Sequence, residues 1–317
     1  MTERSIPTTR RDFLVRASAA GAALGLAGCM PPSVLAPDTG AKASIPKRRI
    51  PSTGELLPVI GLGSSKPVDE IAKNGEEPIT AVLRALVAHG GKLVDTWPRN
   101  PSNDAAFGRV ASLPDLRDKL FVTTKIDKVG KEAGLAQFRD TQKNYQRKKL
   151  DLVQIFSLTD LDVHWPTLKE LKAAGEARYI GVTVAETRLY EQLEGFLKRE
   201  KPDFVQVNYS ITERESEKRI LPLAADHGLA VLINRPFMNG TYFDKLKERP
   251  LPDWAAEFDC KTWAEFSLKY ILANRTVTCV LTETSNPQHM ADNVQTATGP
   301  VPNVAQRQRM AELIDKV

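Results

Sequence analysis

The sequence predicts an α/β fold, a closed (β/α)8 TIM-type barrel with a short N-terminal β-hairpin, and three observations carry that prediction. Eight short apolar runs, at 59–63, 92–96, 119–125, 151–157, 178–184, 203–209, 229–235 and 277–283, are each followed by a helical pattern. Runs such as Leu229-Ala-Val-Leu-Ile233 do not alternate with polar residues, so both of their faces are covered, as in a parallel sheet. Eight such units fill about 250 residues, the usual length of one closed barrel. A composition of 42% hydrophobic and 26% charged residues over 317 positions is that of a globular chain with a sizeable core.

Residues 1–28 read as an address rather than as part of the fold. Arg10-Arg11-Asp12-Phe13-Leu14 precedes a weakly apolar stretch, 17–27, and then Leu26-Ala-Gly-Cys29. The paired arginines resemble a bacterial twin-arginine export signal, and the four residues ending in Cys29 resemble a lipobox. That resemblance implies cleavage before Cys29, acylation of its thiol, and a lipoprotein anchored to a membrane and facing the periplasm. The apolar stretch of 11 residues falls short of the roughly 20 needed to span a bilayer. Residues 29–46, rich in Pro, Ala and small polar residues, read as a flexible tether. Net charge is +5, of which the first 28 residues supply +2, and nothing in the balance calls for a nucleic-acid partner.

The barrel domain is expected over 47–317. Lys47-Arg48-Arg49 reads as the solvated, charged edge of a hairpin that turns at Ser52-Thr-Gly-Glu55. Val59-Ile-Gly-Leu-Gly63 is the first barrel strand, and Ile79, Val82, Leu83, Leu86 and Val87 form the stripe of the helix after it. Leu189, Leu193, Phe196 and Leu197 repeat that pattern later in the chain. A dinucleotide-binding open sheet is the competing architecture. Its fingerprint is missing, because Gly61-Leu-Gly63-Ser-Ser-Lys66 lacks a third glycine and no acidic residue follows at the ribose-binding distance. Asp160, Asp162 and His164 read as a helix start with Asp162 as its cap, not as metal ligands, and no metal is expected. Cys260 and Cys279 read as free thiols, with Cys279 inside an apolar strand.

In a barrel, groups at the carboxyl ends of strands converge on one mouth, so Asp95, Lys125, Phe156 and Thr183 should face a common pocket. Arg235, just past the seventh strand, is placed to meet a phosphate or carboxylate, and Trp97 to wall the pocket. Six segments then carry a resemblance: Ile50-Pro-Ser-Thr-Gly-Glu55, Leu120-Phe-Val-Thr-Thr-Lys125, Asp151-Leu-Val-Gln-Ile155, Ala177-Arg-Tyr-Ile-Gly-Val-Thr183, Asp203-Phe-Val-Gln-Val-Asn-Tyr209 and Thr284-Ser-Asn-Pro-Gln-His289. In order and with barrel spacing they resemble the aldo-keto reductases over nearly all of 47–317.

That resemblance implies a nicotinamide cofactor, NAD or NADP, passing a hydride to or from a small carbonyl or alcohol. It also implies an Asp-Tyr-Lys-His tetrad in which a tyrosine protonates the developing alkoxide. Asp95 and Lys125 match the tetrad, but Asn100 stands at the tyrosine position and Phe156 at the histidine position. An amide releases no proton near neutral pH and a phenyl ring makes no conventional hydrogen bond, so ordinary carbonyl reduction is expected to be weak. By the same resemblance the cofactor falls to Thr183, Gln206, Arg235, Thr284, Ser285, His289 and Asn293. Glu283 and His289 occupy positions where NADP-using members often carry Lys and Arg, which favours NAD. The second reading is a catalytically degenerate barrel serving as a ligand-binding or scaffolding lipoprotein.

Overall fold

The computed structural model describes residues 44–317. The predicted signal, Cys29 and most of the predicted tether lie outside the described residues. Lys47–Arg49 (β1) and Leu56–Pro58 (β2) pair antiparallel as the expected hairpin, with Gly54 taking the positive φ of 78° that the turn requires. The chain then runs through Ile60–Gly63 (β3), two short helices Ser65–Asp69 (α1) and Ile71–Asn74 (α2), and Glu77–Ala88 (α3). Leu93–Asp95 (β4), Pro101–Ala111 (α4), Phe121–Ile126 (β5), Lys131–Asn144 (α5), Leu150–Phe156 (β6) and Leu161–Ala173 (α6) follow. After them come Ala177–Val184 (β7), Tyr190–Arg199 (α7), Phe204–Asn208 (β8), Glu215–His227 (α8), Ala230–Asn234 (β9) and Thr241–Leu246 (α9). Trp263–Leu272 (α10), Val277–Glu283 (β10), Pro287–Gln295 (α11) and Val304–Ile314 (α12) complete it. Strands β3 to β10 are parallel and close on themselves, β10 pairing with β3. This is the (β/α)8 barrel that the sequence predicts.

Two apolar layers hold it. Inside the barrel, Leu93, Phe121, Leu152, Tyr179, Phe204, Leu232 and Leu281 pack with Ile50 and Leu57 of the hairpin, which therefore stops the amino-terminal end. Gly61 is needed there: a Cβ would come within 2.8 Å of the Leu93 carbonyl oxygen and 3.2 Å of Cys279 Sγ. Outside, the helical stripes cover the strands in one continuous cluster. Under the stopper, Tyr179 donates its hydroxyl to Glu55 at 2.7 Å, and Arg178 bridges Glu55 and Asp151. The polar groups of the closed end are thus matched, and access is left to the carboxyl end.

Local sequence explains the helix ends. Thr262 with Glu265 and Asn303 with Gln306 make reciprocal capping boxes on α10 and α12. Two sequence readings are corrected. Arg48 is not a solvated edge charge: its guanidinium is bound to the carbonyl oxygens of Leu272, Asn274 and Val277 at and just beyond the carboxyl end of α10, where a helix presents unpaired acceptors. Burial lowers its pKa to about 10. In α6 the capping position is Asp160, not Asp162; Asp160 has φ 48° and turns its carboxylate to the Gly130 N–H at 2.7 Å, leaving Asp162 in the first turn. Cys260 and Cys279 are buried free thiols.

Candidate active site

Each strand presents alternate side chains to the barrel interior, so Asp95, ending β4, and Lys125, near the end of β5, both point inward at the mouth. Lys125 Nζ donates to Asp95 Oδ1 at 2.6 Å and to the Thr96 carbonyl oxygen at 2.8 Å. Asp95 also accepts from the Thr123 hydroxyl and, through Oδ2, from Gln206 Nε2 at 3.1 Å. Both members of the pair are almost wholly buried, at 7% and 5% exposure. Burial, aided by the Arg99 charge, lowers the Lys125 pKa, while the Asp95 charge and hydrogen bond pull it back up.

A cavity of about 700 Å³ opens above the pair. One wall is aromatic: the Trp97 and Phe156 rings stack with centroids 4.2 Å apart, and Trp97 is fixed by an Nε1–Asp127 hydrogen bond of 2.8 Å. Arg99 lies 4.9 Å from the Trp97 ring and is paired with Asp69 of α1. The opposite wall is the end of β9 and the segment after it, where Asn234, Arg235, Pro236, Phe237, Asn239 and Gly240 line the cavity together with Phe243. Arg235, Met238 and Asn239 there adopt positive φ values of 50°, 51° and 55° without being glycine, conformations that proteins hold mainly at functional loops.

The structure brings Asp95, Lys125, Phe156, Thr183, Gln206 and Arg235 to this one cavity. Thr183 and Gln206 are register partners on β7 and β8, and Phe156 is the partner of Thr183 on β6. Asn100 is elsewhere. With Pro101 at the first helical position, Asn100 becomes the cap of α4 and its Oδ1 accepts from Ser102 N at 3.0 Å and Asn103 N at 3.3 Å. It is not among the residues lining the cavity.

Thr284, Ser285, His289 and Asn293 form a separate group beyond β10. Asn286 caps α11 and accepts from the His289 N–H at 3.4 Å, Thr284 accepts from Asn286 N at 3.1 Å, and Asn293 is buried in α11. Ser285 donates to Glu70 at 2.6 Å, and Glu283 accepts from the Lys66 backbone N–H at 2.7 Å. The segment carrying α1 and α2 is therefore tied to the end of β10. No group of residues with metal-ligating character occurs among the described residues.

A family model of the aldo/keto reductases matches residues 59–305. The chain belongs to the aldo/keto reductase family. It is 27% identical over 252 residues to an aldo-keto reductase of Mycobacterium avium, covering 75% of this chain and 80% of that one. It is 24% identical over 287 residues to L-galactose dehydrogenase of Arabidopsis thaliana, covering 79% and 88%. Among solved structures, the holo form of an aldo-keto reductase from Bacillus halodurans superposes with a TM-score of 0.70 at 22% identity, over 85% of this chain and 96% of that one. An aldo-keto reductase of Klebsiella pneumoniae in complex with NADPH gives 0.70 at 22%, over 82% and 92%.

Of the four positions at which the sequence resemblance expects a tetrad, the cavity holds Asp95, Lys125 and Phe156, the last stacked on Trp97, and Asn100 caps α4 outside it. Arg99, Asp69, Phe237 and Phe243 escape sequence reasoning. Their spacing follows no period, and only the proximity of Arg99 to Trp97 in sequence hints at the stacked pair.

Proposed function

We propose that this chain is an exported, lipid-anchored oxidoreductase that holds a nicotinamide dinucleotide at the barrel mouth and exchanges a hydride with a small carbonyl or alcohol. One observation carries the reading. Gln206 Nε2 is committed to the Asp95 carboxylate, which fixes the orientation of the amide, since its oxygen against a carboxylate would be repelled. Gln206 Oε1 is then buried with no donor, a costly state for a lone acceptor. The Thr183 side chain stands beside it across the β7–β8 register. An acceptor and a hydroxyl side by side match a primary carboxamide, which donates through its NH2 group and accepts through its oxygen. The nicotinamide ring carries such a group.

Bound there, the dinucleotide supplies the hydride. Thr183 and Gln206 orient the carboxamide, Phe237 and Phe243 exclude water from one side, and Trp97 with Phe156 from the other. Arg235 stands where a phosphate of the same ligand would meet a cation. The NADPH complex of the Klebsiella pneumoniae protein is in keeping with this assignment. Glu283 and Glu70, near the loop where the resemblance places the adenosine end, favour NAD(H) over NADP(H).

Fluorescence titration of the purified mature protein with both dinucleotides tests the reading. Saturable binding is expected, weakened at least about tenfold by Gln206→Ala, because about 1.5 kcal/mol of hydrogen bonding is lost. Absence of binding for both dinucleotides would leave only a barrel that binds or scaffolds something else.

A further inference from the structure

We infer that Lys125 is itself the group that passes a proton to, or takes one from, the substrate oxygen, which makes it a catalytic residue rather than a residue that tunes a phenol. The inference rests on the oxidoreductase reading above. All six tyrosine hydroxyls of the chain are engaged elsewhere: Tyr145 with Thr96, Tyr179 with Glu55, Tyr190 with Asn208, Tyr209 and Tyr270 with Glu217, and Tyr242 with the Trp263 carbonyl. None of them, and none of the four histidines, lines the cavity.

Of the ionisable groups that do line it, Lys66, Asp69, Arg99, Arg235 and Glu283 sit at the rim, where Lys66 is 71% exposed and the two guanidiniums are exposed as well and release no proton near neutral pH. At the foot only Asp95 and Lys125 remain. Asp95 accepts from three donors and serves there as the acceptor that holds Lys125 and Gln206 in place. Lys125 commits two of its three N–H bonds, to Asp95 and to the Thr96 carbonyl, and the third has no partner among the described residues. That N–H is the remaining acidic hydrogen at the foot of the cavity. Burial makes it more acidic than an ordinary ammonium.

The step balances without a further co-reactant. In the reducing direction the carbonyl carbon gains the hydride, the C=O π pair moves onto oxygen, and that oxygen takes a proton from Nζ. The amine is left neutral until water in the cavity reprotonates it. In the oxidising direction the neutral amine removes the hydroxyl proton. The charges that act on Lys125 are Asp95 on β4 and Arg99 after β4, itself paired with Asp69 of α1, while the uncharged Gln154 of β6 is its register partner and Phe156 and Gln206 line the same cavity. Tyr145 hydrogen-bonds Thr96 and feels the Asp95 charge, but it does not line the cavity.

The test is single-turnover reduction of 4-nitrobenzaldehyde, whose electron-poor carbonyl accepts a hydride readily, by the mature protein loaded with its preferred dinucleotide in the reduced form. The rate constant is expected to fall as pH rises through the Lys125 midpoint, below the ordinary 10.5. Lys125→Arg keeps a cation beside Asp95 but delivers no proton near neutrality, so the rate should drop at least about 100-fold with dinucleotide affinity nearly unchanged. The Nζ resonance of Lys125 in 15N-lysine-labelled protein, assigned by its loss in Lys125→Arg, should titrate within about one pH unit of the kinetic midpoint. A Lys125→Arg protein that keeps its rate, a kinetic midpoint unrelated to the resonance, or no turnover in a protein that binds dinucleotide each overturns the inference alone. Failure to bind any dinucleotide overturns the underlying reading and this inference with it.

Discussion

Asp95 accepts from Lys125, Thr123 and Gln206 together, so one carboxylate fixes the proton carrier and the amide that orients a ligand. The two charged residues were legible in the sequence, because apolar strand runs end on them and a barrel brings such ends together. The sequence resemblance expects Asn100 where the family carries its phenol, but it does not announce the helix cap that the structure shows. Counting from Asp95 says which residue stands there, whereas only the following Pro101 says that its side chain turns back on its own helix. The same helix buries Asp104, whose carboxyl is pushed up to about 7 by burial and then by Asp69, with the Arg99 backbone N–H pulling the other way. The native state thus keeps a proton that the unfolded chain releases near its ordinary 3.8. Stability from this group therefore falls as pH rises from about 4 to about 7 and is level above that. Asp104→Asn should remove the slope and raise stability at pH 8 by roughly 2–4 kcal/mol, because each pH unit between the folded and unfolded midpoints corresponds to about 1.4 kcal/mol and solvent screening trims the total. Urea unfolding at pH 5 and pH 8 measures it, and a variant with the wild-type slope would refute the assignment.

Elements differ in how plainly the chain announces them. All eight barrel strands and the long helices follow from periodicity. The helices α1 and α2 do not, since 5 and 4 residues are too few to show a 3.6-residue stripe. Their placement matters, because they bring Glu70 to Ser285 and the Lys66 N–H to Glu283 at the carboxyl end of β10. Sequence comparison reads Glu283 only as a charge hostile to a 2′-phosphate; the structure adds that this charge is held in place by a backbone donor. NAD(H) should accordingly bind at least about tenfold tighter than NADP(H), the equivalent of roughly 1.5 kcal/mol. Glu283→Gln, which keeps an acceptor for Lys66 N but drops the charge, should narrow the ratio chiefly by tightening NADP(H). Competitive titration of wild type and variant decides this, and a wild type that prefers NADP(H) would show that the acidic end of β10 does not face the adenosine.

At the scale of the molecule, the hairpin stoppers one end of the barrel and the cavity opens at the other, lined by strand ends and the loops after them. That much was legible because every β-α unit repeats the same pattern. The loop from β9 to α9 was not, since three of its positive-φ residues are Arg, Met and Asn, with Gly240 the one glycine beside them. The proposed export signal belongs to this scale too, because it would set the compartment in which the site works. Arg10-Arg11 and Leu26-Ala-Gly-Cys29 together predict passage through the twin-arginine route followed by acylation of Cys29. A single acyl chain holds a protein only marginally, each buried CH2 contributing about 0.8 kcal/mol, whereas two or more hold it firmly. The mature protein should therefore fractionate with the membrane and carry an acylated first residue. Cys29→Ser should abolish acylation and release the barrel from the membrane, while replacing Arg10 and Arg11 by Lys should leave the precursor unexported. Intact mass and fractionation of the three proteins are the measurements. A wild-type protein recovered soluble with an unmodified amino terminus would sink the anchor and return the site to whichever compartment that soluble form occupies.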